Sequence, residues 1–497
     1  MATSLTDNGA IVYQSSGNPI VDCFMLLVRG LSDDKLKIHL QHCWSFDPYL
    51  TVALIFNSRD RENGKKEKNI SNRCMIWLRH NKFQTYSKNI TTYVNLYGRW
   101  KDILYIASKC KNRSFEIDTI SKQLIIDKQN LINNKSISLC AKWASSQQDK
   151  YDKQFNFAQD IAEKLYPNDS AKMKKYRTEI LTPLRNEIKI VETLMASNRW
   201  TEIQYDKVPA VASKKLRNAF RKHDPVGYAK FLEQVSKGEK KIKTTGLLPH
   251  DLVAYYLNHN IQNIDETIEL QWKQLVENVK TQGMLKNMLA LVDVSGSMTC
   301  EFYNIQPIWV SIALGILIAN CNEGFFANKV VTFHHNPTIF EIKGDSLYEQ
   351  VNYIKRNMDS GLNTNFEAVF DLLINAGKMF NIPQENMPEK IVVLSDMQFD
   401  AASSSQILQE STLHNFILQK YSITSYKPPK FIYWNLSSNH DASFPVKSLS
   451  NNVAMISGFS EQLLKVFMNN DDFNPEKIVY EILEPYKVNV EIDAKDI

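Results

Sequence analysis

From residue 284 onward the chain alternates short β-branched apolar runs with longer amphipathic stretches, and no other feature restricts its possible folds as much. The runs Met288–Val292, Val330–Phe333, Ile391–Leu394, Phe431–Trp434 and Val453–Ile456 have the length of strands. The stretches near Ile305–Asn320, Leu347–Arg356, Phe366–Met379, Gln406–Gln419 and Glu461–Met468 have the length of helices. Strands that alternate with helices are joined by right-handed crossovers, which gives a mostly parallel sheet covered on both faces. The expectation for residues 284–497 is an α/β doubly wound domain of Rossmann-like build, whose ligands bind beyond the carboxyl ends of its strands.

The first half is patterned differently. Apolar residues recur at helical spacing, as in Cys23-Phe24-x-x-Leu27-Val28-x-x-Leu31 and Leu50-x-x-Ala53-Leu54-Ile55. Polar interruptions at Asn57–Asn69, Asn133–Ser136 and Tyr166–Ala171 divide it into segments typical of stacked helical pairs. At 497 residues and 43% hydrophobic the chain has material for two cores. We therefore expect a flexible N-terminus over 1–20, an all-α helical-repeat domain over 21–283, HEAT-like and open to closure as a ring, and the α/β domain over 284–497.

Charge follows the same division. Residues 1–283 carry 44 of the 59 Lys+Arg and 30 of the 54 Asp+Glu, a net of +14, while 284–497 carry the remaining 15 and 24, a net of −9. A basic half suits phosphate-rich or otherwise acidic ligands, and an acidic half is compatible with a bound cation. A solvated lysine-rich surface would show the same balance.

Three loops of the second half carry oxygen donors. Asp293-Val294-Ser295-Gly296-Ser297 leaves the first strand, Ser360-Gly361-Leu362-Asn363-Thr364-Asn365 precedes the helix at Phe366, and Ser395-Asp396 follows Ile391–Leu394. A hard dication such as Mg²⁺ takes about six oxygens and usually keeps some waters. In this set hydroxyls outnumber carboxylates, so a bound ion would keep net positive charge and an open position for an acidic group from a partner. The D-x-S-x-S, Thr and Asp pattern resembles the metal-ion-dependent adhesion site of the von Willebrand factor A family. That resemblance implies Ser295, Ser297 and Thr364 as direct ligands of Mg²⁺ or Mn²⁺, with Asp293 and Asp396 close by or acting through water. Asp359 and Asp400 are acidic neighbours that match no position of the motif.

Several segments of the first half are distinctive: Arg59-Asp60-Arg61-Glu62-Asn63-Gly64-Lys65-Lys66-Glu67, Leu96-Tyr97-Gly98-Arg99-Trp100-Lys101-Asp102-Ile103-Leu104, Tyr205-Asp206-Lys207-Val208-Pro209, and Ala219-Phe220-x-x-His223-Asp224. Together they resemble a family of TROVE-like proteins with a C-terminal von Willebrand A domain, found in plants, fungi and large DNA viruses. That family is similar in turn to the Ro autoantigen group of non-enzymatic RNA-binding proteins, in which helical repeats close into a basic ring. The resemblance spans nearly the whole chain from about Asp22 and implies a ribonucleoprotein component that binds structured or non-coding RNA. The residues that would meet phosphate are Lys214, Lys215, Arg217, Arg221, Lys222 and His223, extended by Lys237, Lys240, Lys241 and Lys243, on a basic face opposite Leu216, Ala219 and Phe220. Trp100 reads as core, with Arg99 and Asp102 capping or pairing beside it.

Enzymatic motifs are missing. There is no G-x-x-x-x-G-K-[ST], H-E-x-x-H, G-x-S-x-G or dinucleotide fingerprint, and His334-His335 is an isolated pair. Two carboxylates are too few for a two-metal nuclease. The seven cysteines, at 23, 43, 74, 110, 140, 300 and 321, have no C-x-x-C spacing and read as reduced thiols, mostly in the core. The longest apolar stretch, Ile308–Ala319, is too short to span a membrane, and no secretory signal opens the chain. The expectation is a cytoplasmic RNA-binding protein, or one packaged in a virion if the source is a large DNA virus, whose A domain engages an acidic partner group through a cation. The alternative is a protein-interaction scaffold with no RNA ligand.

Overall fold

A computed structural model describes the chain except residues 1, 189, 259–260, 262, 284, 303, 334–336, 358–364, 402–411, 440–442 and 469–472, and the side chains of 258, 286 and 333. The fold is a helical N-terminal part joined to an α/β part.

The chain opens with a hairpin of β1 (Thr3–Leu5) and β2 (Ile11–Tyr13), then enters α1 (Pro19–Leu26), α2 (Asp33–Phe46), α3 (Pro48–Arg59), α4 (Lys68–Asn81) and α5 (Phe83–Thr92). Their starts are written locally. Asn18 accepts from the Ile20 and Val21 amides, Ser32 from Lys35 and Asp47 from Leu50, with proline at the first position of α1 and α3. Next comes α6 (Trp100–Ser108), whose Asp102 carboxylate reaches back to the Arg99 amide at 2.9 Å. Trp100 is in the core and donates to Asn95 at 3.0 Å. After α7 (Ser114–Ile132) and several short helices, α8 (Ala210–His223) and α9 (Pro225–Ser236) form a second small core around Tyr205, Phe220, Tyr228 and Phe231. Two helices, α10 (Pro249–Asn258) and α11 (Glu266–Lys280), lead into the α/β part.

There β3 (Met288–Asp293), β4 (Lys329–Phe333), β5 (Thr338–Glu341), β6 (Lys390–Ser395), β7 (Lys430–Asn435) and β8 (Val453–Ser457) form one sheet in the order β8-β7-β6-β3-β4-β5. All neighbours are parallel except β5, which runs antiparallel along the β4 edge. This is a doubly wound order. Strands β3 and β6 are buried at every residue because helices cover both faces, which is why they read as continuous apolar runs. The apolar stretch at Ile308–Ala319 lies within α12 (Pro307–Cys321), which packs against β3 and against α10 of the helical part. It is apolar all round because both sides are covered. Gly315 permits this approach, since a Cβ there would stand 2.5 Å from Val292 Cγ2.

Three sequence expectations change. Residues 2–20, expected to be flexible, form the β1–β2 hairpin and the start of α1, and the hairpin bridges to Phe444 and Asp400 of the α/β part. Helical spacing through Leu31 stops being helix at Leu26, where the chain turns. The predicted helix at Gln406–Gln419 is described only as α15 (Leu413–Ser422), following α13 (Leu347–Asn357) and α14 (Phe366–Met379), because 402–411 lie outside the described residues.

The two parts share one core that runs from Ala10 to Val490. α1 packs on β8, and the final helix α16 (Pro475–Lys487) packs on α3. Beyond α16 the C-terminal segment lies on α2 and α5: the Glu491 amide donates to Asn89 at 3.1 Å, the Asp493 amide to Thr85 Oγ1 at 3.1 Å, and Trp44 Nε1 to the Asp496 carbonyl at 3.1 Å. At the other end α10 packs on α12 and α13, so the helical part meets the α/β part at both of its ends. All seven cysteines are free thiols and six are buried. Among the described residues no helix is long and apolar enough to cross a membrane.

Candidate metal centre and basic helical face

The parallel strands β3 and β6 end side by side, so their C-terminal loops meet. Asp293, the last residue of β3, is fully buried, and Ser295 and Asp396 are nearly so. The Ser295 amide donates to Asp293 Oδ1 at 2.9 Å, and the Ser395 hydroxyl donates to Asp293 Oδ2 at 2.5 Å. The Ser295 and Ser297 hydroxyls stand 3.1 Å apart. Across the loop, the Gln398 amide donates to Asp396 Oδ1 at 3.2 Å. The structure thus brings together Asp293, Ser295, Ser297 and Asp396. Thr364 lies outside the described residues, as do Asp359 and the His334-His335 pair.

Burial, and then the charge of Asp396, push the Asp293 carboxyl well above the usual carboxylate range, against the hydrogen bonds from Ser295 and Ser395. A buried carboxyl raised in this way beside a second carboxylate is what a dication would relieve. The donor chemistry, hydroxyls and carboxylates, fits a hard ion. Asp293, Ser295, Ser297 and Asp396 are the residues that would hold it.

Two contributions were given no role by the sequence: that of Ser395, named there only as part of the third donor loop, and that of the N-terminal hairpin. Ser395 joins the loops by donating to Asp293 and accepting from the Met397 amide at 3.1 Å, beside a left-handed Met397 (φ 65°). The N-terminal hairpin clamps the same loop. The Asp7 amide donates to Gln398 Oε1 at 2.9 Å, Asn8 Nδ2 to the Gln398 carbonyl at 2.8 Å, and Thr6 Oγ1 to the Phe399 carbonyl at 2.7 Å. Ser395 stands in a donor loop the sequence does mark, whereas the hairpin contacts span about 390 residues of chain and leave no local signal.

The basic candidates separate into two groups. Arg217 and Arg221 both grip Asp265 at 2.7 Å, and Arg217 also lies over the Tyr255 ring at 4.7 Å. Burial raises the Asp265 carboxyl, but the Arg221 and Arg217 hydrogen bonds outweigh it and hold the group below its usual range. Lys214 bonds the Asp251 carbonyl. These three tie α8 to α10 and α11. Lys215, Lys222, His223, Lys240, Lys241 and Lys243 are exposed, with His223 stacked on Trp200 at 4.4 Å and Lys243 donating to the Lys207 carbonyl at 3.2 Å.

Two family models match the chain: a domain of unknown function, DUF2828, over residues 6–131 and 117–285, and a domain of unknown function, DUF7788, over 287–495. The uncharacterized protein L728 of Acanthamoeba polyphaga mimivirus is 32% identical over 518 aligned residues, covering 98% of this chain and 88% of its own. Among solved structures, the Deinococcus radiodurans Ro (RSR) protein aligns over 94% of this chain and 100% of its own. Its TM-score of 0.33 and 11% identity make that likeness too slight to carry an argument.

Proposed function

The chain belongs to the DUF2828 family and is related to the mimivirus protein, and from that premise we propose that it is a non-enzymatic RNA-binding ribonucleoprotein component with a cation-dependent adhesion site. The observation that carries the adhesion site is the meeting of two buried carboxylates, Asp293 and Asp396, with the paired Ser295 and Ser297 hydroxyls at adjacent strand ends. A divalent ion, Mg²⁺ or Mn²⁺, would there act as a Lewis acid that takes up an acidic group from a partner. The chain's own residues do the rest. Ser395 and the Ser295 amide fix the Asp293 carboxylate, and the β1–β2 hairpin holds the loop that carries Asp396.

The RNA part rests on the TROVE-like resemblance, the net +14 of residues 1–283 and the exposed Lys215, Lys222, Lys240, Lys241 and Lys243. One observation favours the scaffold reading instead: Arg217 and Arg221, two guanidinium groups of the expected phosphate face, already share Asp265 as a counter-ion.

The test uses the full chain, because the shared core leaves neither part a complete interior of its own. A labelled structured RNA with a single-stranded 3′ tail is titrated across a salt series, with Mg²⁺ and with chelator. Each phosphate neutralised on a single strand contributes a slope of about −0.7 in log K against log salt. Tight binding with a slope of about −3 or steeper supports the reading. Binding no tighter than to a random polyanion refutes it and leaves the scaffold.

A further inference from the structure

Where the end of α3 meets the starts of α4 and α6, cations outnumber anions in a half-buried space. Asp102 lies at its centre, fully buried, and is already committed: Arg59 pairs with it at 2.7 Å, and the Arg99 amide donates to it at 2.9 Å. Around that neutral pair stand Arg61, Lys68, Arg99 and Lys101, none of which makes an ion pair among the described residues. Burial and then Arg59 hold Arg61 below its ordinary pKa, and burial, Arg59 and Arg61 do the same to Arg99. Burial also lowers Lys68, with Lys101, Arg59 and Arg99 adding to it against Asp102, so an anion entering the space would be favoured.

Aromatic rings border the cluster. The half-buried Trp143 ring has the Arg99 guanidinium at 5.9 Å, Lys101 Nζ at 5.5 Å and Lys142 Nζ at 5.6 Å from its centroid, and Lys101 Nζ is 5.9 Å from that of Tyr151. On the other side a polar cavity of about 240 Å³, lined by Arg61, the exposed Glu62, Thr244, Thr245, Asn278 and Gln282, opens between the helical part and the turn at Glu461–Leu464. Its buried acid Glu461 is paired with Lys66 at 2.7 Å. Gly246, beside the cavity's Thr245, places a built Cβ 3.9 Å from the Arg99 guanidinium, so cavity and cation cluster adjoin.

We propose that this space is a binding site for a phosphorylated nucleoside, with the phosphate on Arg61, Arg99, Lys68 and Lys101 and the base against Trp143. Guanidinium forks match phosphate oxygens two at a time, and indole faces accept any base by stacking. The same chemistry could come from a free nucleotide or from the phosphorylated end of an RNA chain. Only the second source rests on the RNA reading above, and the site is distinct from the α8 face considered there.

The test is calorimetric titration of the full chain with AMP, adenosine, and an eight-nucleotide RNA with and without a 5′-phosphate. The site predicts that phosphate tightens binding by about tenfold or more, the usual worth of a charge-assisted hydrogen bond. It also predicts that Arg61→Gln, Lys101→Gln and Trp143→Leu each reduce that gain, while Lys215→Ala/Lys222→Ala on α8 leaves it unchanged. Three substitutions at separate positions guard against one that fails to fold, and circular dichroism identifies it. AMP binding as tightly as the phosphorylated RNA identifies a free nucleotide as the source. A clear advantage for the phosphorylated RNA identifies a chain end. Equal binding with and without phosphate for both probes overturns the site, as does an unaltered phosphate gain in all three variants. If RNA then still binds and only the α8 variant weakens it, the RNA reading stands and this site alone has failed.

Discussion

His250 makes the contact between the two parts of the molecule sensitive to acid. It sits in the first turn of α10, nearly fully buried, and neither ring nitrogen has a hydrogen-bond partner among the described residues. Its ring meets Phe459 of the α/β part edge-on at 5.3 Å, and Arg29 covers the same phenyl ring at 4.5 Å. Burial lowers the imidazole pKa to about 3; Asp251 opposes the shift, while Arg29 and Lys214 add to it. Because the folded value lies below the unfolded value of about 6.5, the unfolded chain binds the proton first. The stability contribution is therefore complete above pH 6.5 and is lost as pH falls below it. Between pH 7.5 and pH 5.0 the loss comes to about 2 kcal/mol, from one and a half pKa units at 1.36 kcal/mol each. The assay is urea unfolding of the wild type and His250→Leu at both pH values, read by tryptophan fluorescence. Leucine keeps the packing and has no proton to gain, so the wild type should lose about 2 kcal/mol more than the variant on acidification. Equal losses refute the argument, as does an imidazole at this position that titrates near its ordinary value in the folded protein.

Lys65 should show the same linkage at higher pH. It is fully buried, donates to the Phe24 carbonyl and to Ser457 Oγ at the seam, and burial lowers its pKa to about 7. Stability should rise by about 2 kcal/mol from pH 7 to pH 9 as the unfolded lysine gives up its advantage, and Lys65→Met should lack that rise in the same unfolding measurement. Asp102→Ala leaves the Arg59 guanidinium buried without its counter-ion, a change that typically costs about 3–5 kcal/mol, so the urea midpoint should fall sharply; Arg59→Met/Asp102→Leu together should recover much of it. Millimolar Mg²⁺ should raise the Tm of the wild type and not of Ser297→Ala or Asp293→Ala. The increment should be larger at pH 8 than at pH 6, because the ion needs an ionised Asp293 whose carboxyl is held high in its absence.

Local pattern accounts for much of the α/β part. Expected strands at Met288–Val292, Ile391–Leu394, Phe431–Trp434 and Val453–Ile456 are each present and extend by one or two residues, and Phe366–Met379 is a helix over those same residues. Burial on both faces makes a strand continuously apolar, and that is visible in the residues themselves. The same holds for Asp293, Ser295 and Ser297, which follow a recognisable strand and must therefore sit at its carboxyl end. The antiparallel edge β5 was not recognised, because four residues of half-exposed strand carry too short an alternation to register.

The sequence by itself determined the buried parallel strands of the α/β part and which loops carry oxygen donors, because both follow from the spacing of neighbouring side chains. Tertiary structure alone decided who meets whom. It set the β8-β7-β6-β3-β4-β5 order, locked the N-terminal hairpin onto the Gln398 loop and laid the C-terminal segment on Thr85 and Asn89. It also turned Arg217 and Arg221 inward to Asp265 while leaving Arg61 and Arg99 without an ion pair among the described residues. For Arg59, Arg217 and Arg221 the counter-ion is a carboxylate some forty residues or more away, and that pairing is settled when the packed core fixes the backbones that carry them.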